Sequence, residues 1–186
     1  KDIGKPRLSV DRIFTKKGSG IVITGTLING CLKCGDDVVV MPDGLTAHIR
    51  AVESYSRNVD MAMPGSRVAL NLTNIKKEDL ERGDVILARK ETISNIADTE
   101  IYLLPEVDRI KNNAKYMIYI GTCEIEAKLV LIGGNGEDIK GPFFAQLQFE
   151  RKISMYIGER FILRDPSAAS TIGGGIILDP LAIKYR

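Results

Sequence analysis

The chain has 186 residues, 26 of them Lys or Arg against 24 Asp or Glu, with 44% hydrophobic and 27% charged side chains and a net charge of +2. This composition excludes a disordered or collagen-like chain, and so small a net charge excludes capture of a polyanion by bulk field alone. A nucleic-acid ligand would have to be held by local basic patches.

In chain order, short alternating apolar runs predict strands over residues 7–15, 20–27, 37–41, 45–55, 66–72 and 85–88. After a break they continue over 99–104, 116–120, 123–130, 143–149, 160–164 and 171–178. Runs this short, β-branched and punctuated by Gly, Pro, Asn and Asp read as all-β, sandwich or barrel. Residues 16–20 are expected to turn between the first two strands, with Gly18 and Gly20 supplying positive φ. "PDG" at 42–44 is a second turn, and "GGNG" at 133–136 a hairpin tip. "TNIKKEDLERGD" predicts one helical turn with Asn74 as its N-cap and Gly83 as its stop. The polar stretch 89–98 is expected to link two β-domains, 1–92 and 93–186. A single twelve-stranded barrel is the poorer alternative.

Other classes are weighed by their chemistry. No run approaches the roughly 18 apolar residues of a membrane span. Three cysteines, Cys31, Cys34 and Cys123, cannot all pair within the chain and follow no secretion signal, so a reducing, cytoplasmic setting is expected. The first residue is Lys and the chain stops at "AIKYR", so it is expected to be a piece of a longer protein. "GSGIVITG" lacks the Lys and Ser or Thr that must follow the second Gly of a phosphate-binding loop, and it reads as strand. The CxxC of Cys31 and Cys34 has too few partners for structural zinc and no helix to activate a thiol, so core packing is expected. His48 stands alone in a strand, without a nucleophile to serve. No catalytic and no metal-binding residue is assigned.

Charge at strand ends remains. Asp11 and Arg12 sit in the apolar strand "VDRIF", and Arg67 opens "RVALNL". Charges beside buried strands are costly unless paired or used. On the residues alone, ion pairs around a barrel rim are the favoured explanation, ahead of a binding site.

The stretch "VDRIFTKKGSGIVITGTLINGCLKCGDDV", with "GSRVALNL" and "LERGDVIL", resembles the second domain of translation GTPases of the EF-Tu type. "DRIFT", the Arg of "PGSR" and the ending "RFILRDPSAASTIGGGIILDP" are similar to the selenocysteine-specific branch, the SelB group. The resemblance runs over nearly the whole chain and implies two consecutive β-barrels, the second and third domains of such a factor. It implies no cofactor in this segment. GTP and Mg2+ would belong to a G domain outside it, and a messenger-RNA hairpin to a C-terminal winged-helix region, also outside it. The implied partners are selenocysteinyl-tRNA, the ribosome and those two regions of the same chain, with no membrane. By the same likeness, Asp11, Arg12, Phe14, Thr24 and Arg67 line the pocket for the esterified amino acid. Arg160, Arg164, Ser170 and Thr171 fall where the tRNA backbone is met. Arg12 and Arg67 depart from an acidic residue and an Asn in EF-Tu, which suits an anionic side chain. Another translation GTPase, binding ordinary aminoacyl-tRNA, is the alternative.

Overall fold

The structure is a computed structural model. It describes residues 4–16, 20–107, 109–133, 141–167 and 170–184. The chain divides into two compact units, Lys1–Glu91 and Thr92–Arg186.

The first unit contains β1 (Arg7–Lys16), β2 (Gly20–Leu27), β3 (Leu32–Lys33), β4 (Asp37–Met41), β5 (Leu45–Ser54), β6 (Arg57–Val59), β7 (Met61–Ala62), β8 (Arg67–Thr73) and β9 (Val85–Leu87). Six of them pair antiparallel in the order β4-β9-β1-β2-β8-β5, and β4 pairs with β5 to close the barrel. β6 extends the sheet from β5, and β3 and β7 form a separate two-stranded ribbon. Alternation explains the closure. In β8, Val68, Leu70 and Leu72 are buried while Arg67, Ala69, Asn71 and Thr73 face outward. The inward set of all the strands joins Leu8, Val10, Ile23, Leu27, Ile49 and Ile86 in one core. Closing the sheet leaves few unpaired edges, the usual liability of β-proteins.

The second unit is a closed barrel in the order β10-β13-β12-β11-β14-β15. Its strands are β10 (Ser94–Leu103), β11 (Ala114–Ile120), β12 (Cys123–Leu131), β13 (Phe143–Ile153), β14 (Arg160–Arg164) and β15 (Thr171–Asp179). Its core is built on Ile101, Ile118, Ile125, Leu129, Leu147, Phe149, Phe161 and Leu163.

The expected all-β, two-barrel architecture is the one observed, with local departures. Residues 94–98 are the first half of β10 and not linker, because the inward positions there are Ala97 and Thr99. A methyl and a hydroxyl do not register as an apolar stripe, and the Thr99 hydroxyl is satisfied by donating to the Ala145 carbonyl at 2.7 Å. The helical turn shrinks to a 3-10 turn at Lys77–Asp79. Asn74 does not cap it: Asn74 adopts φ 63°, and the Lys76 N–H donates to Asp79 Oδ2 at 3.0 Å instead. The PDG turn carries positive φ at Gly44, as its chemistry requires. Of the expected turn at 16–20 and hairpin tip at 133–136, residues 17–19 and 134–136 lie outside the described residues.

Candidate functional site

A β-bulge builds the site. In the β1–β2 ladder Val10 lies opposite Gly25 and Arg12 opposite Thr24, so Asp11 is an extra residue with no cross-strand partner. A strictly regular strand continuing inward from Leu8 and Val10 would turn Arg12 and Phe14 into the core. The bulge absorbs one residue, so Ile13 packs against the core while Arg12 and Phe14 face solvent. On that outer face Phe14 stands opposite Val22, Arg12 opposite Thr24, and Thr26 opposite Arg67 of β8.

Asp11 gathers the charges. Arg67 Nη2 donates to Asp11 Oδ2 at 2.6 Å, and Arg12 Nε lies 3.8 Å from the same oxygen. Arg82 Nε lies 3.9 Å from the other oxygen, Oδ1. Asp11 is only 23% exposed, against 76%, 53% and 69% for Arg12, Arg67 and Arg82. The Arg67 hydrogen bond holds the Asp11 carboxyl below its ordinary range against the opposing effect of desolvation, helped by the charges of Arg67, Arg12 and Arg82. Three guanidinium groups around one carboxylate leave a net positive, outward-facing cluster.

That depression has a consequence for stability. A carboxyl whose folded pKa is lowered stabilises the fold fully above its unfolded value of about 3.9 and loses this contribution as pH falls through the folded value. The gap in urea midpoint between the wild-type chain and Asp11→Asn is therefore expected to be widest at neutral pH and to close in acid. A gap that does not change with pH would mean that the ion pairs are not formed in solution.

Beside the cluster lies a hollow of about 220 Å³ lined by Val22, Arg50, Ala51, Glu53, Asn58, Ala69 and Asn71. Two of its walls are the cross-strand neighbours of named site residues: Val22 pairs with Phe14, and Ala69 with Thr24. The methyl side chains of Ala51 and Ala69 leave the depth. Phe14, opposite Val22, is 43% exposed. The Thr24 hydroxyl oxygen is enclosed and has no hydrogen-bond partner among the described residues.

In the second barrel Arg160 and Arg164 alternate with buried Phe161 and Leu163, so both face outward. The Arg164 guanidinium lies 5.6 Å from the centroid of the Tyr119 ring, and the Tyr119 hydroxyl donates to Glu124 Oε1 at 2.7 Å. Arg160 lines a trough of about 820 Å³ with Tyr102, Tyr119, Ile162 and Gly174 among its walls. Ser170 commits its N–H, at 2.9 Å, and its hydroxyl to Asp165 Oδ2, which ties it to the residue that follows β14. Thr171 opens β15 and is exposed.

The cysteines depart from the packing expected of them. Leu32 between them is buried, but Cys31 is only half-buried, with Sγ 3.6 Å from Met63 Sδ, and Cys34 is exposed, its thiol directed at the Arg50 carbonyl. The cause is the shortness of β3: Cys34 lies past its end, in a turn. Among the described residues no three His, Cys, Asp or Glu side chains gather as a metal site. Replacing Cys31 and Cys34 together by Val is expected to leave ligand affinity within about twofold, the effect of a surface substitution; a larger loss in a binding titration would give the pair a role.

Sequence reasoning named Asp11, Arg12 and Arg67, which the structure brings together, and missed Arg82 and the hollow. The only signal for Arg82 was the Gly that follows it in "LERGD", marking a tight turn toward the barrel.

Comparison with known proteins bears on this arrangement. Residues 97–184 match the family model for the selenocysteine-specific elongation factor β-barrel domain, and residues 20–87 that for elongation factor Tu domain 2. The selenocysteine-specific elongation factor of Desulfomicrobium baculatum is 34% identical over 97% of this chain. The crystal structure of a bacterial selenocysteine-specific elongation factor, EF-Sec, superposes on all of it with a TM-score of 0.83 at 26% identity, over 30% of that chain. The chain belongs to the selenocysteine-specific elongation factor family. It spans 29% of the length of the Desulfomicrobium relative and corresponds to the barrel domains of a translation elongation factor. Elongation factor 1-alpha of Hyperthermus butylicus is also similar, at 27% identity over the whole chain and 48% of its own length. The likeness to the Desulfomicrobium relative runs over both barrels, while the two family models match from β2 onward and leave β1, with Asp11 and Arg12, outside their bounds.

Proposed function

We propose that this chain is the part of a selenocysteine-specific elongation factor that holds the aminoacyl end and acceptor arm of selenocysteinyl-tRNA, which the intact factor delivers to the ribosome at recoded UGA codons. The observation that carries the reading is the Asp11 cluster, in which Arg67 sits at 2.6 Å and Arg12 at 3.8 Å from one carboxylate oxygen on an outward face.

The chemistry follows from charge. A selenol is more acidic than a thiol, so selenocysteine carries a selenolate at neutral pH, while serine on the same tRNA is neutral. Arg stays protonated throughout. Arg12 and Arg67 receive the anion, and Asp11 offsets part of their charge and accepts from the α-ammonium. A hydrogen bond to a charged group is worth about 1.5–3 kcal/mol, so two supply roughly a hundredfold or more in discrimination against serine. Phe14 packs against the aminoacyl group, and Thr24, opposite Arg12 in the ladder, forms part of the pocket wall. An esterified amino acid brings the terminal nucleoside of the tRNA close by, and the neighbouring hollow receives it, with Glu53 and Asn71 as polar groups. In the second barrel Arg160, Arg164 and Thr171 meet backbone phosphates and 2′-hydroxyls, which are read by shape.

The role is binding and not catalysis. Residues 20–27 are strand β2, and GTP and Mg2+ are assigned to a G domain of the intact factor. They, the ribosome and the messenger hairpin belong to other regions of the intact factor, working in the cytoplasm. The test is the affinity of the full-length GTP-bound factor for one tRNA body carrying selenocysteine or serine. A strong preference for selenocysteine is expected. Equal affinities would replace this reading with that of a general aminoacyl-tRNA carrier, to which the elongation factor 1-alpha likeness points.

A further inference from the structure

We propose that Arg82 is a positioning residue for selenocysteine recognition: its loop is clamped to β1 beside Asp11, and from there Arg82 holds the second carboxylate oxygen of Asp11, keeping Arg67 and Arg12 aimed at the cargo. The inference rests on the reading of the Asp11 cluster as the selenocysteine pocket.

The loop is more tightly held than its exposure suggests. Leu80 enters the core of the first barrel, and β9 begins at Val85, so both ends are anchored. Between them the Glu81 N–H donates to Asp84 Oδ2 at 2.8 Å and the Asp84 N–H to the Glu81 carbonyl at 3.2 Å. Gly83 takes φ 101°, a conformation that a side chain would resist. The loop backbone then grips β1 twice at one residue: the Val10 N–H donates to the Asp84 carbonyl at 2.8 Å, and the Gly83 N–H to the Val10 carbonyl at 3.1 Å. Val10 is the last residue before the bulge. The backbone that bears Arg82 is thereby fixed to the backbone that bears Asp11.

This placement answers a difficulty in the pocket. Asp11 has no cross-strand partner to orient it, and its bond to Arg67 competes with any anion that Arg67 is to receive. A third guanidinium, with Arg82 Nε 3.9 Å away, attracts the other carboxylate oxygen, Oδ1. It restrains Asp11 while Arg67 turns toward a selenolate, and it keeps that carboxylate in place to accept from the α-ammonium. Arg82 touches the cargo through neither step; it acts through Asp11.

The experiment uses full-length factor with bound GTP and titrates one tRNA body carrying selenocysteine or serine, for the wild type, Arg82→Gln, Arg82→Lys, Asp11→Asn and the Arg82→Gln, Asp11→Asn pair. The 69% exposure of Arg82 limits the effect, so Arg82→Gln is expected to lower the selenocysteine-to-serine ratio about two- to fivefold, the range of an exposed ion pair. Arg82→Lys, which keeps the charge, restores most of the ratio. In the Asp11→Asn background, Arg82→Gln lowers the ratio no further. The inference is overturned if Arg82→Gln weakens both tRNAs alike, or if its effect on the ratio persists without the Asp11 carboxylate. A wild-type ratio near one would instead remove the pocket reading itself, so the two failures are told apart within one data set. Unchanged GTP affinity and a cooperative thermal transition identify variants that fold.

Discussion

Full-length factor carrying Arg67→Ala is expected to lose about ten- to a hundredfold of its preference for selenocysteinyl- over seryl-tRNA, the loss set by one charge-assisted hydrogen bond. Arg67 makes the shortest contact in the cluster, 2.6 Å to Asp11, and is the largest influence on that carboxyl. Its removal takes away one of two cationic groups for the selenolate and frees Asp11 to face it, a like charge against a like charge. Binding of the seryl form should change little, because a neutral hydroxyl gains little from a guanidinium. The ratio of the two dissociation constants is the measurement. A ratio equal to that of the wild type would take Arg67 out of recognition and leave it as a rim ion pair, worth about a kilocalorie or less. Arg67→Lys separates charge from shape: a lysine keeps the cation but loses the planar fork.

Gly25→Ala is expected to destabilise the first barrel by about 2–3 kcal/mol, as overpacking of a dense interior does, and to lower its melting temperature by roughly 10–20 °C. A Cβ at this position would stand 2.2 Å from the Ser9 carbonyl oxygen and 2.6 Å from Leu8 Cδ2. The first of these is backbone, which cannot swing aside. Gly25 also faces Val10 across the ladder at the start of the bulge, so whatever relief the chain finds will shift the segment that carries Asp11. Loss of selenocysteine preference is therefore expected to accompany the loss of stability. Calorimetry of the 186-residue chain measures the first effect, and a shift of less than about 3 °C would mean that the strands part at little cost.

These effects depend on features that a sequence reveals unevenly. Twelve strands were legible because buried Val, Leu and Ile alternate with polar residues, as in β8 and β12. The start of β10 was not, because Ala97 and Thr99 fill its inward positions. Strands as short as β3, β6 and β7 contain too few residues to show any period. Asp11, Arg12 and Arg67 stood out as charges among apolar neighbours, yet simple alternation from Leu8 and Val10 would have sent Arg12 inward. No local pattern announces a bulge that exchanges one residue for a change of facing. Arg82 was hidden for another reason: its meaning comes from a loop docking on a distant strand, and only three-dimensional pairing displays that. Cys34 was misread because burial was inferred from residue type when a turn decides it.

The bulge makes the acidic group of the site a detachable component. Because Asp11 is supernumerary in the β1–β2 ladder, every rung on either side is complete without it. Excising that one residue would straighten the strand while Arg12, Ile13 and Phe14 kept the sides they now occupy. A lineage could thus gain or shed the carboxylate by a single-codon insertion or deletion and keep the strand pairing of the barrel, changing cargo choice at the cost of a few surface ion pairs.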